Sequence, residues 1–443
     1  MALAEAVRAD SPSLMPLACT ACGWQPAPDA AYPYTCANAG SDDADHLIRH
    51  RPPRGASLGD GSDRHPFVRW RRMLYAWQAA RARAIDDAAF VAQVHRLDAA
   101  IAAVDGHGFA PTPTLNPAAL SERLGLEVWV KDETGQVAGS HKARHLMGLL
   151  LHLAVVEAGR ATLPPLAIAS CGNAALAAAV LARAAARALQ VFVPPDAEGA
   201  VVERLRELGA DVVACPREGE VSGDPCIRGL RDALARGALP FCCQGNFNGL
   251  TIDGGQTLVL EMLSQTMPAP DHWVVQVGGG ALASACVQGL DCAVADGLLA
   301  RLPRIHAVQT QGAAPLARAW SRVRQRALDA GCSVDAALDH ALRHRSSYMW
   351  PWEEPPHSIA SGIVDDETYD WMAVLRGVAA SGGSTVVVDE DTLEAANVLM
   401  RETTDLWPSH TGSAGLAGVL ALQRQGVIGR GERVAVLATG VQR

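Results

Sequence analysis

Residues 166–193, LAIASCGNAALAAAVLARAAARALQVFV, decide the fold class. The apolar run Leu166–Ala169 reads as a short buried strand and gives way to the turn-forming Ser170-Cys171-Gly172. An alanine-rich stretch then predicts a helix over Asn173–Ala188, and Val191–Val193 reads as a second strand. Two apolar strands joined through a helix run parallel and need cover on both faces. The alternation continues on both sides. Downstream come a helix over Glu198–Leu208, a strand at Val212–Ala214, a helix near Ile227–Arg236 and a short strand at Phe241–Cys242. Upstream lie a strand at Leu126–Val130 and a helix over about Ser140–Ala158. Further short buried strands are expected at Trp273–Val277, Ile305–Val308, Thr385–Val388 and Val434–Leu437. The pattern predicts an α/β protein with two doubly wound domains. The smaller, inserted domain spans 146–245, and the larger takes 67–145 plus 246–443. A cleft between the two is the natural place for a ligand. Residues 1–66 are rich in Cys, Pro and Asp and read as loops, followed by a helical stretch from about Phe67 to Ala103.

The chain of 443 residues carries a net charge of −9, which argues against a nucleic-acid partner. Arg183 and Arg187 interrupt the alanine-rich run before it could span a bilayer. Met1–Pro16 carry Glu5, Arg8 and Asp10 without an apolar core, so no signal peptide is expected and the cytoplasm is the expected location. Eleven scattered cysteines, with Cys242 and Cys243 adjacent, do not form a secreted disulfide framework.

Four segments carry chemistry. Gly139-Ser140-His141-Lys142-Ala143-Arg144 precedes a long helix. A lysine there sits at the positive end of the helix dipole, which favours a free amine able to attack an aldehyde. Lys131 and Lys142 are the only lysines in the chain, which lifts Lys142 above an ordinary surface lysine. Ser170-Cys171-Gly172-Asn173 lies at a strand-to-helix junction, where backbone N–H groups bind carboxylate or phosphate; Asn173 as a helix cap is the competing reading. Gly278-Gly279-Gly280-Ala281-Leu282 follows a strand and opens a helix, so its N–H groups can face an anion. Through Gly278, Gly280 and Ala283 it also fits a loose dinucleotide pattern, with Asp296 as the expected ribose-binding acid. Ala438-Thr439-Gly440 closes the final strand, where a hydroxyl could meet a ring nitrogen.

From about Thr112 to Gly440 the chain resembles the fold-type-II pyridoxal-phosphate enzymes, the group that includes threonine synthase, the serine and threonine dehydratases and tryptophan synthase β. The resemblance implies two doubly wound domains with the cofactor cleft between them, pyridoxal 5'-phosphate as cofactor, and Lys142 as its Schiff-base lysine. It further implies that Ser170, Cys171, Gly172 and Asn173 bind the substrate carboxylate, with Asn173 beside the cofactor's ring hydroxyl. Gly278, Gly279, Gly280, Ala281 and Leu282 would hold the phosphate, and Thr439 the pyridine nitrogen. Relatives are often homodimers, so a homodimer acting on a small amino acid is expected, with no nucleic-acid or membrane partner.

His141 stands where many relatives have Phe, and a phosphate contact, a role as second acid or packing would suit it. Ser358-Ile359-Ala360-Ser361-Gly362 and the Pro351–Pro356 segment look dehydratase-like, although Ser361 replaces an acid; Pro408-Ser409-His410-Thr411-Gly412 replaces a Glu-Pro pair. Cys19-x-x-Cys22 with Cys36 is similar to the zinc ribbon of some threonine-synthase-like proteins. The fourth cysteine, expected near Ala39, is absent, so no metal is assigned and a vestigial ribbon is the preferred reading. His46 and His50 are the possible substitutes. The leading function is a pyridoxal-phosphate-dependent lyase, a serine/threonine dehydratase-like enzyme releasing ammonia. The alternative is a threonine-synthase-like replacement on a phosphorylated homoserine, for which Arg144 is the candidate second anion site. A nicotinamide-dependent oxidoreductase and a silent amino-acid sensor are the remaining classes.

Overall fold

The computed structural model describes residues 17–217, 223–265 and 268–443; the reading of Met1–Pro16 lies outside them. Its strands are β1 (Ala18–Cys19), β2 (Ile48–Arg49), β3 (Thr114–Leu115), β4 (Glu127–Asp132), β5 (Leu166–Ala169) and β6 (Leu189–Val193). They continue with β7 (Asp211–Ala214), β8 (Leu239–Pro240), β9 (His272–Gln276), β10 (Arg304–Thr310), β11 (Ser384–Val388) and β12 (Arg433–Ala438). A six-stranded sheet runs β11-β10-β9-β12-β4-β3 and a four-stranded one β7-β6-β5-β8. All pairs in the two are parallel except β3 with β4. The expected α/β architecture is therefore present. Strands β5 and β9 are buried along their whole length, as parallel strands covered on both faces must be.

Two expectations shift. The strand expected at Phe241–Cys242 is assigned at Leu239–Pro240; Phe241 N–H still donates to Ala167 O at 2.9 Å, so the pairing runs on past the strand assignment. The helical stretch Phe67–Ala103 is broken into Pro66–Arg69, Tyr75–Ala82 and Asp87–Asp105. Ala84 adopts a left-handed φ of 58°, and the Asp86 side chain caps the third helix by accepting from Ala89 N–H.

The helix Lys142–Val156 packs on the helix Thr251–Ser264 with backbones in contact. A Cβ added at Gly254 would fall 2.0 Å from Arg144 O, so only glycine fits. Beside that contact lies a buried ion cluster. Arg144, 0% exposed, donates to both Glu133 oxygens at 2.7 and 2.8 Å and to Glu261 at 2.9 Å. Lys131 Nζ donates to Glu261 at 2.6 Å and to Thr112 O at 2.6 Å. Burial alone would raise the Glu261 carboxyl; Arg144 and Lys131 outweigh it and hold it below the usual range. Among the described residues, no helix is long and apolar enough to cross a membrane.

Removing one partner of such a cluster leaves an uncompensated buried charge, at a cost of about 3–5 kcal/mol. Arg144→Leu is therefore expected to lower the urea midpoint by the equivalent of that amount. Because Glu261 is depressed in the fold, its contribution is full above the ordinary carboxylate range and is lost as pH falls through its lowered value. An Arg144→Leu protein with wild-type urea and acid midpoints would show that the cluster carries no stability.

Candidate functional site

The C-terminal ends of β9, β12 and β4 open on one side of the large sheet, where ligands of parallel α/β proteins bind. Lys142 begins its helix there, half-buried. The segment before it is pinned to the end of β12: Ser140 bridges Gly440, and His141 N–H donates to Thr439 O at 3.1 Å. His141 Nδ1 reaches the same carbonyl at 3.0 Å, so this nitrogen carries the proton. Burial, then the charge of Lys142, pushes the His141 imidazole well below its ordinary range; the same two causes lower His145 to about 3. Lys142 is thus flanked by neutral imidazoles. Ser140 Oγ and the Nε2 atoms of His141 and His145 are buried without a hydrogen-bond partner among the described residues.

Asn173 comes to the same point. It is the first residue of its helix and makes no capping bond, so the cap reading fails. Its side chain lies against the strand end: a Cβ on Gly440 would sit 2.6 Å from Asn173 Nδ2. Arg443 donates to Asn173 Oδ1 and to Ala138 O. Cys171 is exposed, and Ser170 Oγ accepts weakly from Gly172 N–H at 3.5 Å.

Gln276, the last residue of β9, fixes Thr439. Its Nε2 donates to the carbonyls of Thr411, Gly412 and Leu437 at 2.9, 3.2 and 3.2 Å and to Thr439 Oγ1 at 2.9 Å. Three carbonyl partners orient the amide, so the Thr439 oxygen accepts and its own proton stays free to be donated. Sequence reasoning missed Gln276, though a glutamine ending the apolar run His272-Trp273-Val274-Val275 was a visible signal.

Gly278–Gly280 turn directly from β9 into the helix Ala281–Ala295. Gly280 has φ 97°, open to glycine and strained for other residues. Ala281 and Leu282 form the buried first turn. An acid missed by sequence stands against the loop: a Cβ on Gly278 would lie 2.3 Å from Asp365 Oδ2. Burial pushes the Asp365 carboxyl up to about 6, with Lys142 and the Gly279 N–H pulling it down and Asp224 and Asp366 pushing it further up. Asp365 follows no motif and reaches the cleft only through the fold.

Two other candidates lie elsewhere. Asp296 accepts from Gly55 N–H at 2.6 Å and Ser57 Oγ at 2.6 Å, so it anchors an N-terminal turn and is no ribose ligand. Arg144 is committed to Glu133 and Glu261 and cannot serve as a second anion site.

A family model described as pyridoxal-phosphate dependent enzyme matches residues 107–440. A threonine synthase of Bacillus sp. (strain ULM1) is 23% identical over 331 residues, covering 74% of this chain and 82% of that protein. Among solved structures, the processed form of threonine deaminase isoform 2 from Solanum lycopersicum superposes with a TM-score of 0.58 at 18% identity, over 80% of this chain and 90% of that one. A fungal L-serine ammonia-lyase from Rhizomucor miehei gives 0.56 at 20% identity, over 75% and 94%.

An anion at the glycine loop must lie beside Asp365. Because that carboxyl is raised to about 6, it is neutral below this pH and charged above it. Sulfate, which keeps its own charge there, is expected to bind more tightly as pH falls through about 6. Asp365→Asn should bind sulfate with no such pH dependence. Isothermal titration across the range decides it, and a flat wild-type profile would remove Asp365 from the anion site.

Proposed function

The chain belongs to the pyridoxal-phosphate-dependent enzyme family, of fold type II, and from that premise we propose that it is an amino-acid lyase. Its reaction is elimination from a small β-substituted amino acid such as serine or threonine, with release of ammonia and a keto acid. The cofactor is pyridoxal 5'-phosphate, and the site suits it. Lys142 stands at the mouth of the cleft, Gly278–Leu282 offer N–H groups to a phosphate, and Thr439 holds a free hydroxyl proton. Bound there, the cofactor would supply an aldehyde for an amine and a ring that takes up electrons as the α-proton leaves.

The remaining work falls to this chain's residues. Lys142, once its amine is free, is the base that removes the α-proton. Neutral His141 and His145 add no positive charge beside it. Thr439, held as an acceptor by Gln276, can only donate toward a ring nitrogen. A donor hydroxyl leaves that nitrogen unprotonated, which limits how much carbanion charge is stored and favours prompt departure of a β-substituent. The backbone N–H groups of Ser170–Asn173 orient the substrate carboxylate.

The observation that carries elimination over replacement on a phosphorylated substrate is the withdrawal of Arg144 into its ion cluster. The likeness to threonine synthases keeps the replacement reaction as the second reading. A homodimer, which rests on the resemblance, and a cytoplasmic location, the expectation drawn from the sequence, belong to the same proposal.

Purified protein loaded with cofactor should absorb in the visible, and Lys142→Ala should lose that band. Keto-acid release from a panel of hydroxy-amino acids should fall at least about 100-fold in the variant. Threonine and free phosphate formed from phosphorylated homoserine, with no keto acid from any panel member, would overturn the lyase reading.

A further inference from the structure

Cys19, Cys22, Cys36 and His46 lie together at the N-terminal hairpin, with their ligand atoms all within 4.8 Å of one another. Their approach has the dimensions of a filled tetrahedron. With Zn–S of about 2.3 Å and Zn–N of about 2.0–2.1 Å, tetrahedral edges come to about 3.8 Å for S···S and about 3.6 Å for S···N. Cys22 Sγ and Cys36 Sγ are 3.6 Å apart, and Cys19 Sγ and His46 Nδ1 are 3.4 Å apart. The three cysteines are free thiols, in no disulfide.

The backbone is shaped around the set. Strand β1 carries Cys19 and pairs antiparallel with β2, placing Cys19 opposite Ile48, while Thr20 N–H donates to Leu47 O at 2.9 Å. The chain after Cys19 folds back tightly: Cys19 N–H donates to Trp24 O at 2.8 Å, and Gly23, with φ 73°, donates to Cys19 O at 2.9 Å. Cys22 returns to the same point through this turn.

Outer contacts match a metal centre. His46 Nε2 donates to Asp42 Oδ1 at 2.9 Å, which leaves the lone pair of Nδ1 facing the sulfurs. A carboxylate on the far nitrogen is how ligating histidines are oriented. Asn38 donates through its backbone N–H to Cys36 Sγ and through Nδ2 to Cys22 Sγ, both at 3.4 Å, supplying donors to sulfurs that would be thiolates. His50, the other substitute, is spent elsewhere, with Nδ1 on Asp253 at 3.0 Å and Nε2 on Gln78.

We propose that these four residues bind one zinc ion in a closed Cys3His site, with His46 Nδ1 as the fourth ligand and Asp42 as the carboxylate that orients it. Three soft sulfurs and an imidazole select zinc over harder cations, and four protein ligands make the site structural. The missing fourth cysteine is replaced by a histidine two residues before β2, so the sequence spacing of a ribbon is broken while its geometry is kept.

The test is metal analysis of the purified full chain. One zinc per chain is expected in the wild type, and cobalt exchanged into the site should show sulfur-to-metal charge transfer and the strong visible bands of tetrahedral geometry. His46→Ala should lose zinc, His46→Cys should retain it, and Asp42→Asn should bind it about 10–100-fold more weakly. Should His46→Ala fail to fold, the wild-type metal content and the Asp42→Asn affinity decide the matter. Wild-type protein that is free of zinc and takes up no cobalt, with its three thiols titrating freely or Cys22 and Cys36 recovered as a disulfide, would overturn the site.

Discussion

A guanidinium with no exposure to water must find its counter-charges inside the protein, and Arg144 finds them in Glu133 and Glu261. That requirement organises the large sheet's cleft. Glu133 follows β4, Glu261 lies on the helix Thr251–Ser264, and Arg144 sits two residues beyond Lys142 in the first turn of its helix. Satisfying the charge therefore fixes where that turn lies relative to strand and helix. From the other side, His141 and Ser140 are bonded to Thr439 and Gly440 at the end of β12. Lys142 is held between a buried ion cluster and a strand end, and neither anchor touches its own side chain.

Parts of the site that depend on local backbone chemistry were legible in the chain. Gly278–Gly280 sit between an apolar strand and a helix, and Lys142 opens a helix. Both readings need only a few neighbouring residues, and the structure places both segments at the C-terminal ends of parallel strands. What failed to show depended on distant partners. Arg144 looked available because no carboxylate stands close to it in sequence, whereas its partners Glu133 and Glu261 lie 11 and 117 residues away. Asn173 looked like a cap until Gly440 and Arg443 were brought to it. Asp365 carries no motif and matters only because the chain after Ile363 folds onto Gly278. The fold class was easier to read than its edges. Period and composition identify the buried parallel strands, but the paired strand at Leu239–Pro240 contains a proline that discourages a strand reading.

The N-terminal hairpin and the glycine loop are separated by more than two hundred residues, yet one carboxylate joins them. Arg49 of β2 donates to Asp370, and both side chains are buried. Asp370 N–H donates to Gly279 O at 3.0 Å, and its Oδ2 accepts from Gly245 N–H at 3.2 Å. A Cβ on Gly280 would meet Asp370 Cβ at 3.1 Å. So the hairpin, the segment returning from the four-stranded sheet and the glycine loop all converge on one residue. Arg49 Nε remains without a partner, and an incompletely satisfied buried pair contributes little net stability. Its value is positional: it sets the distance between β2 and the backbone of Gly279. β1 pairs with β2, and the Arg49–Asp370 pair together with the Asp370 N–H bond to Gly279 O runs from β2 to the glycine loop. The Cys19–His46 cluster closes that same pair of strands at its outer end. Hairpin and glycine loop are in this sense joined through Asp370.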